Sequence, residues 1–201
     1  MIKTIISDLG GVFLNRGIWK FWEYTEKEYG IPQDVSKEAF LKYYKLYFSG
    51  KITEEEFWKD FLIDTKLNED WHKLREILLN LFEPNKEVVE VYEQLRENGK
   101  KLVLLSDQTK EWWPFLNDKF KIESHFDKTI VSALIGINKP DLKLYEMAVE
   151  ISKTKPEECL FIDDLKHNLE PAEKMGIKTI FFENPQQLKE KLIEMHLINK
   201  N

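Results

Sequence analysis

The residues that decide the fold are Ile2-Lys3-Thr4-Ile5-Ile6-Ser7-Asp8-Leu9-Gly10-Gly11-Val12, near the start of the chain. A short apolar run without polar alternation is typical of a parallel strand that is covered on both faces of its sheet. We therefore predict a strand from Ile2 to Ser7, which would present Asp8 at its carboxyl end. The two glycines that follow allow the backbone to turn tightly beyond Asp8.

Four further apolar runs predict strands of the same kind, at Leu102 to Ser106, Thr129 to Val131, Leu160 to Asp163 and Thr179 to Phe182. Between them, apolar side chains recur at helical spacing, as in Glu87 to Asn98, which ends before Gly99. Alternating strands and helices imply a parallel sheet with helices on both faces. The sequence therefore predicts an α/β fold with a five-stranded parallel sheet.

The stretch 16–83 has a different pattern, because it shows no clear strand and is dense in aromatic residues. Its helical patterns are interrupted near Gly30-Ile31-Pro32 and Ser49-Gly50-Lys51. We predict three or four helices packed as a small bundle, inserted after the first strand and lying over its carboxyl end. The expected domains are 1–15 together with 84–201 as an α/β core, and 16–83 as a helical bundle.

Composition limits the classes of partner. The formal net charge is −6 and the chain has only three arginines, so the arginine-rich basic face of nucleic-acid readers is missing. No apolar run approaches the ~20 residues of a membrane span, and the first residues do not resemble a signal peptide. Cys159 is the single cysteine, which we interpret as a buried strand residue and which fits a reducing cytoplasm. We expect a cytoplasmic protein without nucleic-acid or membrane partners, as a monomer or a homodimer.

Ligands of open parallel sheets bind beyond the carboxyl ends of the strands. At those ends the sequence places Asp8, Ser106-Asp107, Asp163-Asp164 and, in the loop after the third strand, Lys139. The carboxylates of Asp8, Asp163 and Asp164 would repel one another without a cation between them. Oxygen ligands alone favour Mg²⁺, and the main-chain carbonyl of Gly10 can join the set.

The same edge of the sheet suits a phosphoryl group. Lys139 and Ser106 can hold its oxygens, and Asp8 would then be in line to attack phosphorus and form an aspartyl-phosphate. Taken singly, Asp8 could be a helix cap or turn former, Lys139 a surface lysine and Ser106 a turn hydroxyl. Their joint occurrence at successive strand ends favours a functional site.

Four segments resemble motifs of the haloacid dehalogenase superfamily. They are Asp8-Leu9-Gly10-Gly11-Val12, Ser106 after its apolar run, Lys139-Pro140-Asp141, and Phe161-Ile162-Asp163-Asp164. The resemblance spans nearly the whole chain and implies a Rossmann-like core with a helical cap. It also implies Mg²⁺ as cofactor and phosphoryl transfer through Asp8 from a small phosphorylated metabolite, of which a sugar phosphate is one candidate. Ser106 and Lys139 would bind phosphate, and Asp164 would bind the metal directly with Asp163 beside it.

The first motif departs from the pattern of the family's phosphatases, which carry a second aspartate two residues after the nucleophile. Here that residue is Gly10, which can offer a carbonyl to Mg²⁺ but cannot move a proton. A positioned general acid or base is worth ~10²–10⁴ in rate, or roughly 3–5 kcal/mol of barrier. Either the substrate has a good leaving group, such as an anomeric sugar phosphate or an acyl phosphate, or a neighbour such as Asp107 or His167 replaces the acid.

Both candidate acids have a second interpretation. Asp107 can bind phosphate through its backbone N–H and cap the next helix, and His167 can be an exposed residue after the fourth strand. Substrate choice is expected in the cap and in the loop after Asp8, with Asn15, Arg16 and Trp19 as candidates. Arg16 could bind a second anionic group of the substrate. The alternative interpretation, in which Arg16 is a surface residue and Trp19 only packs, is at least as well supported by the sequence.

Two other functions stay open. A catalytically weak or inactive binding protein of the same family is favoured by Gly10. A 2-haloacid dehalogenase would attack carbon with the same aspartate. The fourth motif of such enzymes, however, resembles a pattern that lacks a carboxylate pair. The pair Asp163-Asp164 therefore disfavours a dehalogenase.

Overall fold

A five-stranded parallel sheet forms the centre of the computed structural model, which describes residues 1–200. Its strands are β1 (Thr4–Ser7), β2 (Lys101–Ser106), β3 (Lys128–Val131), β4 (Cys159–Asp163) and β5 (Lys178–Phe181). The order across the sheet is β3-β2-β1-β4-β5, and every neighbouring pair is parallel. The predicted sheet is therefore confirmed, with strand ends that lie within two residues of the predicted ones.

Helices connect the strands. Between β1 and β2 lie α1 (Gly17–Tyr29), α2 (Gln33–Phe48), α3 (Glu54–Thr65), α4 (Trp71–Asn80) and α5 (Lys86–Glu97). The later helices are α6 (Trp112–Phe120), α7 (Ser132–Ile135), α8 (Leu142–Ser152), α9 (Lys166–Lys174) and α10 (Pro185–Glu194). Within residues 1–200, none of these helices has the length and apolar character that crossing a membrane requires.

The sheet is buried on both faces, which explains why its strands are continuous apolar runs. Ile5 packs in a large hydrophobic cluster with side chains of α5, α6 and α10, whereas Ile6 packs in a second cluster with side chains of α8 and α9. Successive side chains of a strand point to opposite faces, so one strand serves both clusters. Cys159 is a buried free thiol in β4, as the sequence indicated.

The first four helices pack against one another, since α2 contacts α1 and α3, and α4 contacts α1 and α3. Gly30 ends α1 in the left-handed conformation, with a φ of 69°. Thr53 and Glu56 form a capping box at the start of α3. We propose that these helices are the cap, 16–83, and that 1–15 and 84–201 are the core.

An aromatic cluster joins the proposed cap to the core. Trp112 belongs to α6, yet its ring centroid lies 5.5 Å from that of Tyr47 and 5.4 Å from that of Phe48. The Trp112 side chain is fully buried, and its Nε1 donates a hydrogen bond of 2.6 Å to Glu54 Oε1 in α3. Because a core residue completes the aromatic cluster of the cap, the two regions share one hydrophobic core.

This packing predicts that Trp112→Ala lowers the free energy of unfolding by about 3–5 kcal/mol, because it leaves a large cavity between the two regions. The measurement is urea denaturation followed by circular dichroism. Trp19→Ala is the matched control, because that side chain is 46% exposed and should cost less than about 1 kcal/mol. Equal losses for the two variants would contradict a shared core.

Candidate active site

Three buried carboxylates meet at the carboxyl ends of β1 and β4. Asp8 follows β1, Asp163 ends β4 and Asp164 comes next. Each offers one carboxylate oxygen, and these oxygens lie within 4.8 Å of one another. The strand register explains the meeting, because Ser7 is paired with Ile162 in the neighbouring parallel strand, so the residues that follow lie side by side.

The ammonium group of Lys139 lies between two of the carboxylates. Its Nζ is 2.8 Å from Asp8 Oδ1 and donates to Asp163 Oδ2 at 2.7 Å, with only 2% of the side chain exposed. Burial opposes the charge of Lys139, but the carboxylates of Asp163, Asp8 and Asp107 outweigh it and raise the pKa of Lys139 well above its usual value. Lys139 is therefore a fixed cation in the centre of the site.

Hydrogen bonds hold Asp163 from several sides. Asn168 Nδ2 donates to both carboxylate oxygens, at 3.0 and 3.1 Å, and the backbone N–H of Leu165 donates to Oδ1 at 2.8 Å. With Lys139 on Oδ2, the carboxylate has partners on both oxygens. Because both oxygens of Asp163 are occupied, this arrangement favours a role in positioning Lys139 over direct binding of a metal ion.

Lys139 alone does not balance the negative charge of the cluster. Burial raises the pKa of Asp8 well above its usual range; Lys139 opposes this shift, while Asp163 and Asp164 add to it. Burial also raises the pKa of Asp164, with Asp163 adding to the shift and Arg16 opposing it. A divalent cation would relieve this repulsion, and hard oxygen donors suit Mg²⁺. The residues present thus fit an Mg²⁺ ion.

The glycines after Asp8 differ in how closely they approach this cluster. Gly11 has a φ of +85°, and a Cβ atom on it would lie 2.1 Å from Asp164 Oδ2. Gly10 has no atom within 4 Å of such a Cβ and lines the cavity beside Asp8. Only Gly11 is therefore required by the close approach of Asp164.

Asp8 offers one free oxygen. Its Oδ1 accepts a hydrogen bond of 2.7 Å from the backbone N–H of Leu9 and pairs with Lys139. No hydrogen bond to Oδ2 is present in the described part of the chain. The oxygen Oδ2 is therefore available for attack on a substrate.

The predicted phosphate-binding residues lie at the end of β2. Ser106 is 2% exposed, and its hydroxyl has no hydrogen-bond partner among residues 1–200. Asp107 Oδ1 accepts a hydrogen bond of 3.0 Å from the backbone N–H of Lys139. The expectation that Asp107 caps the next helix is wrong, because Thr109 Oγ1 accepts the hydrogen bond from Trp112 N at 3.0 Å. Burial raises the pKa of Asp107 to about 6.

The three candidates for substrate choice line the cavity beside the carboxylates. Arg16 Nε donates to Asp164 Oδ2 at 2.8 Å, and its guanidinium lies 4.3 Å from the centroid of the Trp19 ring. Asn15 donates to the Leu81 carbonyl at 3.1 Å. Arg16 is thus tied to a predicted metal ligand, a contact for which the sequence gives no signal.

A cavity of about 490 Å³ lies over the carboxylates. His167 lines it and is exposed near the start of α9, as expected. Residues of α2 also line this cavity, although the sequence predicted no site role for them. Their helical spacing places them on one face of α2. They are Lys37, Phe40, Leu41, Tyr44, Lys45 and Phe48.

A family model described as haloacid dehalogenase-like hydrolase matches residues 5–182. The chain belongs to this family. The chain is 39% identical over 64 residues to bifunctional epoxide hydrolase 2 of Mus musculus; these residues are 32% of this chain but only 12% of that protein. It is 27% identical over 146 residues to flavin mononucleotide hydrolase 1 of Arabidopsis thaliana, covering 73% of this chain and 59% of that protein.

A solved structure shares the fold of this hydrolase. It is the haloacid dehalogenase family enzyme bt-2542 of Bacteroides thetaiotaomicron, in complex with magnesium and inorganic phosphate. The TM-score is 0.73 at 23% identity, covering 94% of this chain and 99% of that one. The predicted Rossmann-like α/β fold is therefore confirmed.

The contrast between the glycines yields a prediction on metal binding. Gly11→Ala should weaken Mg²⁺ binding at least tenfold, because the added methyl group would displace the Asp164 carboxylate. Gly10→Ala should change the affinity by less than about twofold, since the predicted metal site would use only its carbonyl and the methyl group meets open space. Isothermal titration calorimetry measures both, with circular dichroism to confirm folding. Equal affinities in the two variants would exclude Asp164 from the metal site.

Proposed function

We propose that this hydrolase is an Mg²⁺-dependent phosphatase that acts on a small phosphorylated metabolite through an aspartyl-phosphate on Asp8. The observation that carries the proposal is the convergence of Asp8, Lys139, Asp163 and Asp164, which come from distant parts of the sequence. One fixed ammonium group beside one free carboxylate oxygen suits attack on a phosphate monoester.

In this proposal, Asp8 Oδ2 attacks phosphorus, and the bond from phosphorus to the alcohol oxygen breaks. Lys139 and the unpartnered hydroxyl of Ser106 hold phosphoryl oxygens, which would give Ser106 the partner that a buried polar group requires. Water then attacks phosphorus, the bond from phosphorus to Asp8 Oδ2 breaks, and the second water proton leaves on dihydrogen phosphate. Asp8, Asp164 and the Gly10 carbonyl would hold Mg²⁺, with Asp163 beside them, and the bound ion supplies positive charge against the phosphoryl oxygens.

The comparisons support this proposal. The Bacteroides enzyme holds magnesium and inorganic phosphate within the same fold. The Arabidopsis relative is named for hydrolysis of flavin mononucleotide, which is itself a phosphate monoester. Both observations favour phosphoryl chemistry for this chain.

The proton required by the leaving group has no donor at Gly10. His167 and Asp107 both line the cavity, but His167 is exposed, whereas burial raises the pKa of Asp107 to about 6. Asp107 is therefore the better placed of the two candidate acids. The alternative is a substrate whose leaving group departs as an anion, so that no acid is required.

Gly10 also favours a second candidate function, a binding protein of the same family with weak or absent catalysis. The turnover assay below separates it from the phosphatase. A 2-haloacid dehalogenase is disfavoured, because the cluster of three carboxylates fits a metal that attack on carbon does not require.

We expect kcat/KM for phosphate monoesters to rise steeply with the acidity of the leaving group. With Mg²⁺ present, 4-nitrophenyl phosphate should exceed ethyl phosphate by about 10² or more, the size of effect that a missing general acid causes. Phosphate release over a graded series of aryl and alkyl phosphates measures the dependence. A flat response would refute the requirement for a good leaving group.

Asp8→Asn should reduce turnover of every ester to the background rate, and the exposed Asp34→Asn should leave turnover unchanged. If Asp107 supplies the proton, Asp107→Asn lowers the rate for ethyl phosphate more than for 4-nitrophenyl phosphate. Unchanged turnover of both esters in Asp107→Asn and His167→Gln would dismiss both residues as acids. Absence of Mg²⁺-dependent turnover in the wild type would favour the binding protein.

A further inference from the structure

One face of α2 forms a wall of the cavity that Asp8 and Asp164 also line. Lys37, Leu41, Tyr44 and Lys45 line the cavity from this face. Acidic residues outnumber basic ones in the stretch 16–83. Among the described residues of that stretch, however, the charged side chains that line the cavity are all cations: Arg16, Lys37 and Lys45. The charge of this wall is therefore opposite to that of the cap as a whole, which favours an anionic ligand.

The rest of this wall is apolar and rich in aromatic rings. Trp19 stacks on Trp22 at a centroid distance of 6.1 Å, and Tyr44 stacks on Phe48 at 4.1 Å. Trp19 is 46% exposed and Tyr44 is half-buried, so both rings are accessible from the cavity. Such a wall offers stacking to a flat apolar group.

The same wall is poorly matched to a sugar. Carboxylate and amide side chains, which pair with sugar hydroxyls, are missing from the share of the cavity lining that α1 and α2 contribute in the described chain. The hydroxyl of Tyr44 is the exception. Apart from Lys37, Lys45 and the Tyr44 hydroxyl, a polyhydroxylated substrate would therefore find few replacements here for its water contacts.

The three cations occupy different places along the wall. Arg16 is engaged by Asp164. Lys45 lies near enough to Asp107 for its charge to oppose the rise that burial causes in the pKa of that carboxyl. Lys37 lies two helical turns away, about 12 Å along the axis, with its ammonium group 5.9 Å from the centroid of the Trp22 ring. Lys37 is thus placed at the outer end of the aromatic wall.

We propose that the substrate is a phosphate monoester of a flat, apolar alcohol that carries a second anionic group. The flat body lies against Tyr44 and beside the pair formed by Arg16 and Trp19, and the second anion binds Lys37. This inference rests on the proposed function, because it places the phosphoryl group at Asp8. An aromatic alcohol also leaves as a phenolate that needs no proton, which suits the glycine at position 10.

Phosphonates test this inference without turnover, because their carbon–phosphorus bond is not cleaved. The probes are naphthalen-2-ylmethylphosphonate, its 6-carboxy derivative and 2,3-dihydroxypropylphosphonate, titrated by calorimetry into the Mg²⁺-loaded wild type. We expect the naphthyl probe to bind at least tenfold more tightly than the polyol probe. The carboxylate should add a further threefold or more.

Lys37→Gln should remove the gain from the carboxylate and keep the gain from the naphthyl group. Lys42→Gln is the matched control in the same helix, because Lys42 pairs with Asp64 at 2.8 Å, and it should keep both gains. Equal binding of polyol and naphthyl probes, or a carboxylate gain that survives in Lys37→Gln, would overturn the inference. If either of these contradicting results is found while 4-nitrophenyl phosphate is still hydrolysed through Asp8, the proposed function stands and only the inferred substrate class is wrong.

Discussion

A buried ammonium group between two carboxylates is the interaction on which the site depends. Lys139 Nζ lies 2.8 Å from Asp8 and 2.7 Å from Asp163. Loss of one partner of a buried ion pair leaves an uncompensated charge and costs about 3–5 kcal/mol, so such a group persists only with further hydrogen bonds. Asn168 and the backbone N–H groups of Leu165 and Leu9 supply them. These contacts leave one oxygen of Asp8 free, which is the oxygen that the proposed chemistry uses.

The sheet and the helical insertion contribute different parts of the site. Neighbouring parallel strands bring charged residues from distant parts of the sequence to one edge, where burial between helices raises the pKa of the carboxylates. The helices after β1 cover this edge with aromatic rings and lysines. Trp112 of the core packs against Tyr47 and Phe48 of α2, so the helices that cover the site are fixed to the core by aromatic contacts. In the proposed function, phosphoryl chemistry and substrate choice would therefore lie on separate elements.

The strands and their terminal charges were predictable because each depends on a local pattern. A short apolar run that ends in a carboxylate indicates both a buried strand and the place of its last side chain, as for Asp8 and Asp163. The contact between Arg16 and Asp164 was not predictable, since it depends on how the loop after β1 returns to β4. The role of Trp112 was not predictable for a similar reason, because helix–helix packing decides whether an aromatic residue of α6 contacts the helices of the stretch 16–83. The assignment of site roles to individual residues stays a prediction.

In the proposed phosphatase, Asp8 accepts a phosphoryl group beside a metal ion that the carboxylate cluster binds. A crystal structure of the wild type soaked with Mg²⁺ and BeF₃⁻, a mimic of a phosphoryl group on aspartate, tests it most directly. We expect BeF₃⁻ density joined to Asp8, with Lys139 and Ser106 on its fluorine atoms and Mg²⁺ in contact with Asp8 and Asp164. A structure with Mg²⁺ bound but no beryllofluoride on Asp8, or with the ion away from Asp164, would contradict it.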